Sequence, residues 1–142
     1  MPAIFYWKHT VIPQEIDEQG HVSNVEYVRW MQSAAIAHST EQGWSPERYV
    51  EEGSAWVVRT HFVEYHAPAF VNDDIEVVTW VSNFRKVLSL RRYRIMRASD
   101  GALLAQAETD WAYLGREHHV PRRIPAGLID DFDVLPEDQE PA

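Results

Sequence analysis

The sequence predicts an α+β domain in which a curved five-stranded antiparallel sheet wraps around one long central helix. Three observations carry that prediction. Apolar residues recur at helical spacing through 24–42, the second half of the chain alternates in steps of two, and an Asp-Gly turn joins the last two alternating runs. A helix of about 19 residues, apolar over a broad arc, needs more cover than a two-stranded ribbon gives; a curved sheet supplies it. With 142 residues and 45% hydrophobic content, the chain is long enough to bury one such core.

Residues 5–13 are aromatic and β-branched, and read as a first strand stopped by Pro13. A polar stretch from Gln14 to Ser23 follows. From Asn24 to Gln42, Tyr27, Trp30, Met31, Ala34, Ala35 and His38 recur at steps of three and four, with Ser23 or Asn24 as N-cap and Gly43 at the C-terminal stop. Ser45-Pro46-Glu47 opens a short second helix that Gly53 ends. Residues 55–66 read as a strand closed by Pro68. In the strand from Ile75 to Ser82, Ile75, Val77, Thr79 and Val81 share one face. A basic strand over 86–98 and an alternating strand over 102–114 flank Ser99-Asp100-Gly101, read as a tight primed turn. The domain is placed at 1–127. Residues 128–142 hold six acids and no Lys or Arg, so most of the net charge of −9 lies there, and they read as a solvated acidic C-terminal tail.

Composition excludes several kinds of chemistry. There is no cysteine, hence no disulfide, thiol nucleophile or thiolate metal site. No histidine pair has ligand spacing with a carboxylate partner, so no metal site is expected. The acidic balance argues against nucleic acid as a partner, and no apolar run is long enough for a membrane span. With no secretory leader at Met1–Lys8, a cytoplasmic location is expected.

The chemistry concentrates in residues 15–30, where Asp17, Gly20, His21, Val22 and Asn24 stand just ahead of the long helix. A carboxylate can attack a carbonyl or activate water, and such chemistry also needs a donor for the carbonyl oxygen. The first turn of a helix offers unpaired N–H groups with partial positive charge. The spacing Asp-x-x-Gly-His-Val-x-Asn resembles the 4-hydroxybenzoyl-CoA thioesterase-like branch of the hotdog superfamily. Tyr27, Glu64-Tyr65-x-x-Pro68-Ala69 and Ile124-Pro125 extend the likeness along residues 6–127. Ser23 and Glu15 depart from it, where many relatives carry Asn and Asp.

That resemblance implies an acyl-CoA thioesterase. Asp17 would act as nucleophile or general base, and the backbone N–H of Asn24 as donor to the thioester oxygen. Gly20 would shape the loop, and His21 would orient Asp17 or pack beneath it. Coenzyme A would enter as part of the substrate, with no separate cofactor. The minimum unit would be a homodimer, often paired further into a homotetramer. Two rival readings stay open: a hydratase or dehydratase on the same fold, and a non-catalytic module binding acyl-CoA or another small ligand. The second has no need of a carboxylate at 17.

Arg85, Lys86, Arg91, Arg92, Arg94 and Arg97 supply six of the 13 cations, with no acid among residues 85–97. Relatives often hold phosphate groups at the start of this strand, so Arg85 and Lys86 are the candidates for coenzyme A, ahead of Arg122 and Arg123. Cross-strand pairing with Glu76, Glu108 and Asp110 is the alternative use of these charges. Trp56, Trp80 and Trp111 read either as pocket walls or as core.

Overall fold

The computed structural model describes residues 3–141. Its strands are β1 (Phe5–Thr10), β2 (Ser54–Tyr65), β3 (Asp74–Arg85), β4 (Leu88–Arg97) and β5 (Leu103–Gly115). Its helices are α1 (Asn24–Glu41), α2 (Pro46–Glu51) and α3 (Ala126–Asp130). The strands form one sheet in the order β1-β3-β4-β5-β2, antiparallel at every step. This is the α+β architecture of one sheet around a central helix.

The six residues of α1 predicted to face inward are the six that are buried. Trp30, Met31 and Ala34 meet Ile75 and Val77 of β3, Tyr93 and Ile95 of β4, and Ala105 of β5 in one core cluster. A second cluster gathers Trp44, Tyr49, Val81, Tyr113, Ile124, Leu128 and Phe132. Among the described residues no helix is long and apolar enough to cross a bilayer.

Three local expectations change. Strand β4 begins at Leu88, not at 86, because Lys86 and Val87 form a two-residue turn with Lys86 at φ +46°. The connection from β4 to β5 is wider than a tight primed turn. The Arg97 N–H donates to Ala102 O, and within that loop only Gly101 takes a positive φ. Asp100 shapes it with its side chain, accepting from the N–H of Ala102 at 3.0 Å.

The third change concerns residues 128–142, expected as a solvated tail. Leu128 and Phe132 are buried in the second core cluster. The Trp44 indole N–H donates to the Asp131 carboxylate at 2.8 Å, and the Leu135 N–H donates to Val81 O at 2.8 Å. Further along, Glu140 lies 2.9 Å from the Arg92 guanidinium. Acid-rich composition concealed a strap whose few apolar residues have a core to enter.

Candidate active site

The segment between β1 and α1 is fixed at both ends. The Val11 N–H donates to Asp73 O and the Val22 N–H to Ala69 O, each at 2.9 Å. Between them Glu15 is buried, and its carboxylate accepts four donor contacts. His9 Nε2 lies 2.8 and 3.0 Å from its two oxygens, the Ile12 N–H donates at 3.0 Å, and the Trp30 indole N–H at 2.8 Å. Burial alone would push this carboxyl up; the donors from Ile12, His9 and Trp30 outweigh it and hold the group below the ordinary glutamate value. The Glu15 carbonyl also accepts from the Ser23 N–H at 2.9 Å. One residue thus ties β1, the loop and α1 together. Sequence reading noted it only as a departure from the family pattern, although its neighbour Ile16 is apolar and an aromatic donor lies on the helix that follows.

On this frame Asp17 to His21 form a small hairpin. The Asp17 N–H donates to His21 O at 2.9 Å, the Gly20 N–H to Asp17 O at 3.1 Å, and Ile16 bridges Val22. Gly20 sits at φ +86°, and a Cβ there would meet nothing within 4 Å, so the requirement for glycine is conformational, not steric. The Asp17 side chain is 34% exposed. Its Oδ1 accepts from the Gln19 N–H at 2.8 Å, while Oδ2 faces His21 Nδ1 at 3.8 Å, too far for a hydrogen bond. His21 Nδ1 is nearer to Val22 O, at 3.3 Å.

Helix α1 starts at Asn24, directly after this hairpin. The Ser23 side chain makes no cap bond. Its carbonyl accepts from the Glu26 N–H at 2.9 Å, and no acceptor within the described residues takes the Asn24 N–H. That amide points from the exposed positive end of the helix dipole. Tyr65 of β2 reaches across to donate to Asn24 O at 3.1 Å. Tyr27 is a core residue, buried, with its hydroxyl 3.4 Å from Ala67 O.

The basic strand is used largely for pairing. Arg85 bonds Asp110 on β5 and Asn83 beside it; Arg92 faces Glu108 and Glu140, and Arg97 faces Asp73 and Asp100. Lys86, exposed at the β3–β4 turn, pairs with no carboxylate among the described residues. Because Thr10 lies opposite Asp74, the Asp17 loop follows the Asp74 end of β3. Arg85 and Lys86 occupy its other end, about 35 Å away along a strand of this length. One chain therefore does not bring its Asp17 loop and its candidate phosphate cations together.

The larger cavity, about 330 Å³, lies between the second half of α1 and the Arg85 end of the sheet. Trp56 and Trp111 line it; Trp80 does not, being buried on the opposite sheet face with the Arg94 guanidinium 5.7 Å from its ring centre. Asp17, Gly20, His21 and Asn24 line neither this cavity nor the smaller one near Trp80. In a single chain, the catalytic candidates stand on an open surface.

One five-stranded antiparallel sheet around a central helix, with a carboxylate loop leading into that helix's amino end, is the architecture of the hotdog class. The chain belongs to the acyl-ACP thioesterase N-terminal domain family, whose profile matches residues 2–132. It is 28% identical over 130 residues to the acyl-CoA thioester hydrolase YbgC of Escherichia coli, covering 92% of this chain and 96% of that one. Its fold is similar to that of a 1,4-dihydroxy-2-naphthoyl-CoA thioesterase from Synechocystis, at TM-score 0.83 and 18% identity, over 90% of this chain and 94% of the other. A DHNA-CoA thioesterase from Staphylococcus aureus matches at TM-score 0.80 and 21% identity, over 84% and 80%.

Proposed function

We propose that this chain hydrolyses acyl-CoA thioesters at the turn between Asp17 and Asn24. The observation that carries the reading is the exposed Asp17 carboxylate on a braced loop that leads straight into the unpaired N–H of α1. In this reading the Asn24 N–H receives the thioester oxygen as negative charge builds on it. Asp17 either attacks the acyl carbon or takes a proton from the attacking water. The C–S bond breaks, the sulfur leaves as thiolate, and water supplies the second oxygen of the free acid. The purified chain should release free thiol from acyl-CoA. A panel of short, long and aromatic acyl-CoAs with no thiol release from any member would reject this function in favour of a binding module.

Gly20 serves the loop through its positive φ, and His21 packs against the hairpin as a positioning residue. For the phosphates of coenzyme A, Lys86 is the better candidate of the original two, since Arg85 already faces Asp110. Lys86→Glu should raise KM for acyl-CoA about tenfold, with kcat on a short N-acylcysteamine thioester unchanged. Equal KM effects on both substrates would remove Lys86 from the site.

The placing of loop and cations at opposite ends of β3 points to a homodimer. Strand β2 is a sheet edge of 12 residues, with Phe62 58% exposed and Val57 and Tyr65 also open. Long apolar edges of this kind invite pairing. Antiparallel pairing of β2 with a second copy's β2 reverses the second sheet, so that copy's Lys86 end comes alongside this chain's Asp17 end. Light scattering should give twice the chain mass or a multiple of it. A monomer at micromolar concentration would contradict the shared site.

A further inference from the structure

The cavity beside the second half of α1 contains a charge that the protein does not balance. Arg91 lies on β4 in phase with Ser89 and Tyr93, which turns it into the domain, and it is only 5% exposed. Its Nη1 donates to His38 Nδ1 at 3.0 Å and to Thr79 Oγ1 at 3.2 Å. Both acceptors are neutral. Burial first, and the adjacent guanidinium second, push the His38 imidazole down to about 3, so near neutral pH it keeps a lone pair for Arg91 and no charge. Arg85, Arg92 and Arg97 on the same hairpin each face a carboxylate. Among the described residues Arg91 faces no carboxylate, and its Nε and Nη2 have no hydrogen-bond acceptor.

Holding an unpaired guanidinium away from water is strongly unfavourable unless something anionic meets it. Here Arg91 forms part of the wall of the 330 Å³ cavity, whose other walls include Trp44, Trp56, Phe84 and Phe132. That volume lies at the small end for ligand pockets, and mainly apolar walls with two cations, the buried Arg91 and the exposed Arg116, suit an amphipathic acid.

We propose that this cavity binds a carboxylate carried on an apolar body, with the Arg91 guanidinium as its partner. The ligand chemistry has two sources: the far end of an acyl group that bears a second carboxylate, or a free amphipathic acid that is no part of a thioester. Only the first source rests on the proposed thioester reaction; binding itself does not.

Titrating octanoate and its neutral analogue octanamide against the full chain, read by tryptophan fluorescence, tests this directly. Octanoate should bind about thirtyfold more tightly than the amide. Arg91→Met should close that gap without lowering the unliganded Tm, because it removes a buried charge. Arg91→Lys should keep part of the gap, and Asp17→Asn should leave it intact, which separates this site from the reaction centre. Equal affinities in the wild-type chain would overturn the proposal, even if Arg91→Met failed to fold. So would a gap that survives Arg91→Met. A second comparison, of an ω-carboxyacyl-CoA with the plain acyl-CoA of equal length, assigns the source. A kcat/KM preference that Arg91→Met abolishes places the substrate's far end in the cavity; tight octanoate binding without any such preference places a free acid there.

Discussion

Replacing Asp17 by asparagine should lower kcat on acyl-CoA at least a thousandfold, equivalent to about 4 kcal/mol of barrier. The fold should be unaffected. Asparagine keeps an oxygen for the Gln19 N–H that Asp17 Oδ1 now accepts, and the side chain is exposed enough to lose no packing. Tm should therefore stay within about 2 °C of the wild type, as for ordinary surface changes. KM should change little, since the cation proposed for the phosphates, Lys86, lies at the other end of β3. A variant with near wild-type turnover would remove Asp17 from the chemistry. Single-turnover hydrolysis in ¹⁸O-water bears on the two roles left open: a nucleophilic Asp17 whose anhydride is opened by water at the aspartyl carbon takes label into its own carboxyl group in that turnover, whereas a general base sends all of it into the released acid.

Replacing Glu15 by alanine should be the most destabilising change near the site. It leaves His9, the Ile12 N–H and the Trp30 indole without their common acceptor, in a place where Glu15 is only 8% exposed. Stranding buried donors in this way costs about 3 kcal/mol, or roughly 10 °C in Tm for a domain of this size. Glu15→Gln, which keeps the shape and one acceptor oxygen, should recover more than half. The pH dependence follows from the lowered carboxyl of Glu15. A depressed acid contributes its full stability above the unfolded glutamate value and loses it as pH falls through the folded one. The Tm difference between wild type and Glu15→Ala should thus be greatest near neutrality and shrink below about pH 4. A difference that stayed constant into strong acid would show that packing, not charge, accounts for the role of Glu15.

The central helix was legible because its sequence speaks at one period. Tyr27, Trp30, Met31, Ala34, Ala35 and His38 fall on a single arc, and the structure buries those six. Strand ends were harder to read. The Lys86-Val87 turn lacks the glycine or asparagine that usually marks such a turn, so β4 seemed to start too early. In residues 128–142 the density of acids outweighed Leu128 and Phe132, two side chains that composition could not place in a core. Within the site, Asp17, Gly20 and Asn24 stood out by their spacing. Glu15 did not, because its importance lies in donors from Ile12, His9 and Trp30 that only the fold assembles. Arg91 carried a readable signal. It alternates in phase with Ser89, Tyr93 and Ile95, whereas Arg92 and Arg94 lie on the other face, so strand parity separates it from those two; Arg97 shares its parity but stands at the strand end, where Asp73 and Asp100 reach it.

The acidic strap closes one side of the Arg91 cavity, since Leu128 and Phe132 form part of its wall. Its attachment is modest: a handful of polar bonds and two apolar anchors, outside the strand order altogether. A substitution at either anchor would change the depth of that chamber while leaving the Asp17 turn and the sheet untouched. Descendants of this chain can therefore drift in what they accommodate through their last fifteen residues, with the reaction itself held constant.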